Sequence, residues 1–424
     1  MTPYPTLHWT ESGQVCSARW RSERGAPPPK KVVLADDTLN ADAAYKLACE
    51  GTALLWRGDF QNARQMLQAL GRRIDQSAKA GKRVRSKKQQ ADATKTIAAH
   101  ASAAGATAEN ADKAEMDAKA FHLYRQAQSQ RARVLGMVLL SFDADYGISL
   151  RRSPDARLAC AQGWGEPVVG GGEGSGTCVA SLRELMGLIS AYEWRKKGVE
   201  VHALGMAPNN RIHPHYGVFS PVRGEYVALV AQAPLPAGLT DDARVFDVGT
   251  GSGVLSAVLA RRGVQHIVAT DLNPRALACA QDNLMKLGVA GQVELQAVDL
   301  FPQGRATLIV CNPPWLPARP GSPIEHAVYD EGSGMLLGFL NGLAAHLTPE
   351  GEGWLILSDL AEHLGLRSRA MLTQAFDTAG LEVRGRLDTT PVHGKAQDAD
   401  DPLHAARSKE VTSLWRLSAK RAAP

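Results

Sequence analysis

The sequence contains few cysteines, and they lie far apart along the chain. Structural zinc sites usually take two ligands from one short segment, so this spacing predicts no metal site. We also expect the thiols to be reduced and mostly packed as small apolar side chains, as in a reducing compartment. The 6 cysteines among 424 residues are Cys16, Cys49, Cys160, Cys178, Cys279 and Cys311.

Long apolar runs are also missing. A membrane-spanning helix needs about 18 or more uninterrupted apolar residues, whereas the longest run, 134–142, is short and contains Gly136. The first residues do not combine a basic start with a following apolar stretch, so they do not resemble a secretory signal. The sequence therefore predicts a cytoplasmic protein with no membrane partner.

The overall charge does not identify a partner. There are 48 Lys and Arg residues against 43 Asp and Glu residues, which gives a net charge of +5. Such a small excess is compatible with nucleic-acid binding but does not predict it. With 44% hydrophobic and 21% charged residues, the composition is that of an ordinary globular protein, and the length favours two or three structural units.

Residues 1–200 are predicted to form a mainly helical N-terminal domain that contains a charged, low-complexity segment at 72–119. Large apolar residues are rare in this segment, so it has little with which to form a core of its own. It is either a basic surface that binds phosphates or a solvated extension, and both interpretations stay open. Its basic residues up to position 95 are Arg72, Arg73, Lys79, Lys82, Arg83, Arg85, Lys87, Lys88 and Lys95.

Residues 201–424 alternate short apolar strands with amphipathic helices, the pattern of an α/β fold with a mainly parallel sheet. The strands are predicted at 243–248, 265–270, 293–298, 307–311, 353–358, 382–386 and 411–418. The helices are predicted at 254–262, 274–287, 335–347 and 367–379.

A glycine-rich turn follows the first of these strands. Asp247, Gly249, Gly251 and Gly253 give the spacing D-x-G-x-G-x-G, which differs from the G-x-G-x-x-G of dinucleotide-binding folds. Glycine at these positions lets the backbone approach a ligand closely. Because the carboxylate would repel a pyrophosphate, the pattern favours a ligand with a cationic amino acid end.

Two more aspartates are predicted at the ends of the next strands. Asp271 follows the second strand, about 20 residues after the glycines, where a carboxylate accepts hydrogen bonds from ribose hydroxyls. Asp299 follows the third strand, where it would accept from an adenine amino group. Each aspartate alone could be a helix cap, but three at one sheet edge predict a pocket for an adenosine with a charged, non-phosphate tail.

The fourth strand runs into Asn312, Pro313, Pro314 and Trp315. The prolines end the strand and fix a rigid turn. The side-chain oxygen of Asn312 and the carbonyl of Pro313 would then both accept hydrogen bonds from one NH2 group, and Trp315 would stack on a flat substrate. A turn with a merely packed tryptophan is the structural alternative.

These motifs resemble those of the class I S-adenosylmethionine-dependent methyltransferases, over residues 210–420. The (Asn/Asp)-Pro-Pro-aromatic motif is typical of a subgroup that includes amino-methylating DNA and RNA enzymes and release-factor glutamine methyltransferases. The resemblance implies a Rossmann-like seven-stranded sheet with helices on both faces and an antiparallel last strand. It implies S-adenosyl-L-methionine as cofactor, with its methionine part beside Asp247, Gly249, Gly251 and Gly253, its ribose at Asp271, and its adenine at Asp299 and Leu300. Asn312, Pro313, Pro314 and Trp315 would bind the amine that is methylated.

A weaker resemblance concerns residues 216–225, which are similar to a Phe-x-Pro-Arg-x-Glu element of the glutamine methyltransferases, with the Arg and Glu displaced by one place. Trp315, in turn, stands where Tyr or Phe is more usual. We therefore expect an N-methyltransferase that acts on a planar amide or exocyclic amine, in an RNA or DNA base or in a protein glutamine. A small-molecule methyltransferase and a non-catalytic cofactor-binding module are the alternatives. By analogy with related enzymes, residues 1–200 would recognise the substrate.

Overall fold

The computed structural model describes residues 5–77, 106–167, 176–392, 398–399 and 401–421. These residues fall into two compact units, one within Met1–Ala111 and His122–Ser190 and the other within Asp112–Phe121 and Ala191–Pro424. Most of the predicted basic segment at 72–119 lies outside the described residues.

The first unit is built around a mixed sheet of six strands in the order β1-β2-β6-β5-β4-β3. Its strands are β1 (Thr6–Glu11), β2 (Gln14–Trp20), β3 (Lys31–Ala35), β4 (Thr52–Trp56), β5 (Val138–Phe142) and β6 (Cys178–Ser181). Its helical residues belong to α1 (Ala41–Cys49), α2 (60–77), α3 (Ala106–Leu135), α4 (Arg157–Trp164) and the beginning of α5 (Leu182–Lys197).

The sequence predicted helices in residues 1–200, which are present, but it did not predict the six-stranded sheet at the centre of this unit. The reason lies in strands such as β4, in which all five residues are buried. A short, continuously apolar strand has no alternating pattern, so periodicity alone does not distinguish it from part of a buried helix.

The second unit contains a seven-stranded sheet in the order β11-β10-β9-β12-β13-β15-β14. Its strands are β9 (Arg244–Val248), β10 (His266–Thr270), β11 (Val293–Gln296), β12 (Ala306–Cys311), β13 (Leu347–Ser358), β14 (Leu381–Thr389) and β15 (Thr412–Ala419). The helices are α6 (Glu225–Gln232), α7 (Val254–Arg261), α8 (Pro274–Lys286), α9 (Gly334–His346), α10 (Leu360–His363), α11 (Arg369–Thr378) and α12 (His404–Arg407). A two-stranded sheet, β7 (Val199–Glu200) and β8 (Arg211–Ile212), precedes them.

The last strand, β15, is antiparallel to both of its neighbours, whereas β9 to β13 pair in parallel. Successive residues of β9 face opposite sides, so that Val245 packs with α6, α7 and α8 and Phe246 packs with α9 and α11. The predicted seven-stranded sheet with helices on both faces and an antiparallel last strand is therefore confirmed.

The order of the strands reverses between β9 and β12, and ligands of such sheets bind at the carboxyl ends beside this switch point. The glycine turn (residues 249–253), Asp271 and Asn312 all follow strands that end there. Asp299 does not. β11 ends at Gln296, because its partner β10 ends at the paired residue Thr270. The predicted strand end at 298 is wrong for this reason.

Candidate active site

The glycine turn leaves β9 in a backbone conformation that favours glycine. Gly249, Gly251 and Gly253 have φ angles of 74°, 56° and 79°. The backbone N–H groups of Gly249 and Thr250 donate to the carbonyl of Thr270, at 2.9 and 2.8 Å. The turn is therefore fixed to the end of the neighbouring strand β10.

Two of these glycines face different surroundings. A β-carbon on Gly253 would lie 3.1 Å from the backbone of Ala280 in α8, so this glycine allows the helix to pack closely. A β-carbon on Gly251 would meet no atom within 4 Å. Gly251 thus borders open space at the carboxyl edge of the sheet, where a ligand can approach its backbone.

Asp247 is buried, and its two carboxylate oxygens differ. Oδ2 accepts hydrogen bonds from the hydroxyls of Thr250 (2.7 Å) and Ser256 (2.6 Å) and from the N–H of Ser256 (3.1 Å). Oδ1 is buried without a hydrogen-bond partner in the part of the chain that the structure describes. Burial raises the pKa of Asp247, against the effect of these hydrogen bonds. A cationic donor from a ligand would relieve both the missing bond and the cost of the buried charge.

Asp271 closes the other side of the glycine turn. Its Oδ2 accepts from the N–H of Gly251 at 3.0 Å, and its Oδ1 accepts from the N–H of Asn273 at 2.8 Å. Burial raises the pKa of this carboxyl as well. Each carboxylate oxygen can accept a further hydrogen bond, so Asp271 is suited to binding a pair of hydroxyls next to Gly251.

Leu300 and Asp299 lie beyond the end of β11. Leu300 has a φ of 57°, and its carbonyl accepts from the Thr270 hydroxyl at 2.6 Å. Thr270 thus joins Leu300 to the glycine turn. Leu300 therefore lies near the other candidate cofactor residues. Asp299 is exposed, and its role at an adenine stays a prediction.

Residues 312–315 form a turn directly after β12, and the turn is tied together by its own side chains. The indole Nε1–H of Trp315 donates to Oδ1 of Asn312 at 2.9 Å. Pro313 is buried, whereas Asn312, Pro314 and Trp315 are half-buried. The sequence predicted Asn312 as an acceptor but gave no sign of the indole bond. An amide oxygen has two lone pairs, so Asn312 retains one for a substrate.

Further residues around Trp315 were not identified as site residues from the sequence. The guanidinium of Arg223 lies 5.8 Å from the centre of the indole ring, and Tyr226 meets the ring nearly perpendicularly, at 6.5 Å and 87°. Arg223 also forms an ion pair with Glu410 at 3.1 Å. Arg223 lies within the 216–225 element, which was the only signal for it, and no pattern pointed to Glu410.

The site therefore has the features that S-adenosylmethionine requires on the side of its methionine and ribose. The unpartnered oxygen of Asp247 suits an ammonium group, and the open space at Gly251 admits the ligand to the turn.

Among the described residues, no three His, Cys, Asp or Glu side chains lie close enough to hold a metal ion. No described helix has the length and apolar character needed to cross a membrane.

Comparison with known proteins identifies the family. Residues 209–383 match the family described as "Methyltransferase small domain". The tRNA1(Val) (adenine(37)-N6)-methyltransferase of Shewanella amazonensis is 30% identical over 188 residues, which cover 43% of this chain and 76% of that protein. The chain belongs to the class I S-adenosylmethionine-dependent methyltransferases. The family and the cofactor predicted from the motifs are thereby confirmed, and the matched range includes every predicted site residue.

Other methyltransferases match over shorter regions. The release factor glutamine methyltransferase of Cereibacter sphaeroides is 35% identical over 161 residues, 34% of this chain and 56% of that protein. A ribosomal protein L11 methyltransferase of Pelotomaculum thermopropionicum is 46% identical over 70 residues, 16% of this chain and 23% of that protein. The chain thus spans about half or less of the length of these two relatives.

Proposed function

We propose that this methyltransferase transfers a methyl group from S-adenosyl-L-methionine to the planar NH2 group of a macromolecule. One observation carries the proposal. Cys311, the last residue of β12, pairs with Val248, the last residue of β9. Asn312 and Gly249 therefore begin their turns side by side, with the amine-binding candidates adjacent to the cofactor-binding candidates.

We assign the cofactor residues on the same geometry. Asp247, Gly249, Gly251 and Gly253 would surround the methionine part, Asp271 would accept from the ribose hydroxyls, and Asp299 with Leu300 would border the adenine. When bound, the cofactor supplies an electrophilic methyl group on its sulfonium. The contribution of the chain is then to hold the amine in line with that methyl group.

A planar NH2 group is a poor nucleophile, because its lone pair is delocalised into the adjacent π-system. Oδ1 of Asn312 and the carbonyl of Pro313 would accept hydrogen bonds from the two N–H groups of this amine. These hydrogen bonds would favour the pyramidal form of the nitrogen, whose lone pair can attack the methyl group. Pro313 and Pro314 keep these acceptors in place. No strong base is required, since the N–H becomes acidic as the new bond forms, so we expect no catalytic His or Cys.

A nucleic-acid base is the substrate class that we favour. The tRNA adenine-N6 methyltransferase is matched over 76% of its length. The run of basic residues between positions 72 and 95 would suit phosphates, and residues 1–200 would then recognise the nucleic acid. A cytoplasmic location is part of this proposal, because tRNA and ribosomes are found there.

A glutamine side chain in a protein is the second candidate. It is favoured by the 216–225 element and by the 35% identity to a release factor glutamine methyltransferase over 161 residues. An amide NH2 presents the same two N–H bonds to residues 312 and 313 as an adenine amino group does. The turn itself therefore fits both substrates.

Incubation with labelled cofactor tests the proposal and separates the two substrates. The purified chain is added to an extract of a strain that lacks it, together with S-adenosylmethionine labelled in the methyl group. We expect a macromolecular product that nuclease destroys and protease does not. The reverse sensitivity would establish the protein substrate instead. Label found only in small molecules, or no transfer beyond a control without the chain, would refute the proposal.

A further inference from the structure

The Asn-Pro-Pro-Trp turn carries a hydrogen bond that a phenylalanine at position 315 would not provide. The indole N–H of Trp315 donates to Oδ1 of Asn312 at 2.9 Å. The carboxamide of Asn312 has an oxygen that accepts and an NH2 that only donates, and the two ends exchange places when the group rotates by about 180°. The indole bond therefore selects the orientation in which the carboxamide oxygen, and not the NH2, faces the indole N–H. The second lone pair of that oxygen remains available to accept a hydrogen bond.

Trp315 is itself held by an arginine. The Arg223 guanidinium lies 5.8 Å from the ring centre, within the range of a cation–π contact. The edge-to-face contact with Tyr226 restrains the ring from a second direction. Because Arg223 is only 21% exposed, its position depends on the residue that neutralises it.

That residue is Glu410, whose side chain is 0% exposed. Its Oε1 accepts from Nη1 of Arg223 at 3.1 Å and from the hydroxyl of Ser358 at 2.8 Å. The Ser358 oxygen in turn accepts from the N–H of Leu360. Glu410 precedes β15 and Ser358 ends β13, so the carboxylate joins the carboxyl end of β13 to the segment entering β15.

We propose that Glu410 and Arg223 are positioning residues, which act through Trp315 to keep the Asn312 carboxamide oxygen directed at the amine to be methylated. This inference rests on the proposed function for its catalytic consequence. Glu410 and Arg223 touch neither the amine nor the cofactor in this account. Their effect is to restrain the indole ring, and through it the rotation of the carboxamide.

The test begins with the indole itself. Tryptophan labelled with ¹⁵N gives one indole resonance per side chain, and Trp315→Phe identifies the resonance of Trp315. In Glu410→Gln, which keeps the shape but removes the charge, we expect this resonance to shift and its N–H to exchange faster with solvent. Arg223→Lys keeps the charge but loses the planar guanidinium, and we expect the same result. If Glu410→Gln does not fold, the Arg223→Lys variant still shows whether the ion pair restrains the indole of Trp315.

Glu352→Gln is a matched control within the same sheet. Glu352 pairs with Arg416 at 2.7 Å and accepts from the indole of Trp354 at 3.2 Å. Glu352, Arg416 and Trp354 thus form a second cluster of a carboxylate, an arginine and a tryptophan, and this cluster does not include Trp315. This variant should shift the Trp354 resonance and leave that of Trp315 unchanged.

The second measurement is the transfer of labelled methyl groups to total RNA. We expect Glu410→Gln and Arg223→Lys to lower the maximal rate by about 10- to 100-fold, as small displacements of reacting groups do. The affinity for S-adenosylhomocysteine and the RNA concentration for half-maximal rate should change less than about twofold. Glu352→Gln should keep the wild-type rate.

The outcomes separate this inference from the proposed function. If the wild type transfers no label to RNA or protein, the proposed function fails, and the indole resonances still decide whether Glu410 and Arg223 hold the turn. An unchanged Trp315 resonance in both variants overturns the inference. So does a wild-type maximal rate in variants whose Trp315 resonance has shifted.

Discussion

Replacement of Gly251 by alanine separates the backbone cost of the glycine turn from its role in binding. Gly251 has a φ of 56°, and a β-carbon there would meet no atom within 4 Å. The folded protein therefore has room for the methyl group. The remaining cost is that of a left-handed residue with a side chain, about 1–2 kcal/mol. This is a modest loss, and we expect the variant to fold.

The same methyl group would project into the space that we assign to the methionine part of the cofactor. We therefore expect the affinity for S-adenosylhomocysteine, measured by calorimetry, to fall at least about tenfold, which corresponds to about 1.4 kcal/mol. The free energy of unfolding, measured by urea denaturation without ligand, should fall by about 1–2 kcal/mol.

Gly288→Ala is the matched control. Gly288 has a φ of 70°, and a β-carbon there also meets nothing within 4 Å, but it follows α8 at the end opposite Asn273. It should lose a similar unfolding free energy and keep the wild-type affinity for S-adenosylhomocysteine. Equal affinities in Gly251→Ala, Gly288→Ala and the wild type would refute the assignment of the glycine turn to the cofactor.

Two further predictions concern the carboxylates of the site. Asp271→Asn keeps one oxygen acceptor but loses the charge and the second acceptor. Calorimetry should therefore show weaker binding of S-adenosylhomocysteine, and a smaller loss of affinity for adenine alone. An unchanged affinity for S-adenosylhomocysteine would contradict the assignment of Asp271 to the ribose. Because burial raises the pKa of Asp247 above the value of 3.8 expected when it is unfolded, this group favours folding at low pH, and its contribution is lost as the pH rises through the raised pKa. Without ligand, the unfolding free energy of the wild type should therefore fall relative to that of Asp247→Asn as the pH rises above about 4 in urea titrations. A difference that does not depend on pH would contradict the raised pKa.

Much of the second unit could be predicted, because its strands and helices carry strong local signals. Strand β12 is buried at all six positions and ends where Asn312 and the prolines begin. Helix α8 starts at Pro274 after Asn273, whose side chain accepts from the N–H of Arg275, as its sequence indicates. Such signals act over a few residues, so the sequence alone is sufficient to reveal them.

The features that were missed depend on contacts that are distant along the chain. The strands of the first unit are defined by their neighbours, and the end of β11 is set by the length of β10. Arg223 and Glu410 are separated by 187 positions, and no local pattern announces an ion pair of that kind. The indole bond from Trp315 to Asn312 needed the conformation of the turn, which two prolines restrict but do not fully specify.

The most direct test of the central claim compares Asn312→Ala with the wild type. Methyl transfer from labelled S-adenosylmethionine to the identified macromolecule is measured together with the affinity for S-adenosylhomocysteine. Loss of the Asn312 oxygen should reduce transfer by at least about 100-fold, within the range seen when a positioned acceptor or donor is removed from an active site, while cofactor affinity stays within about twofold. Transfer at the wild-type rate by this variant would contradict the claim that residues 312–315 bind the amine. Loss of cofactor affinity would contradict the division of the site into its two parts.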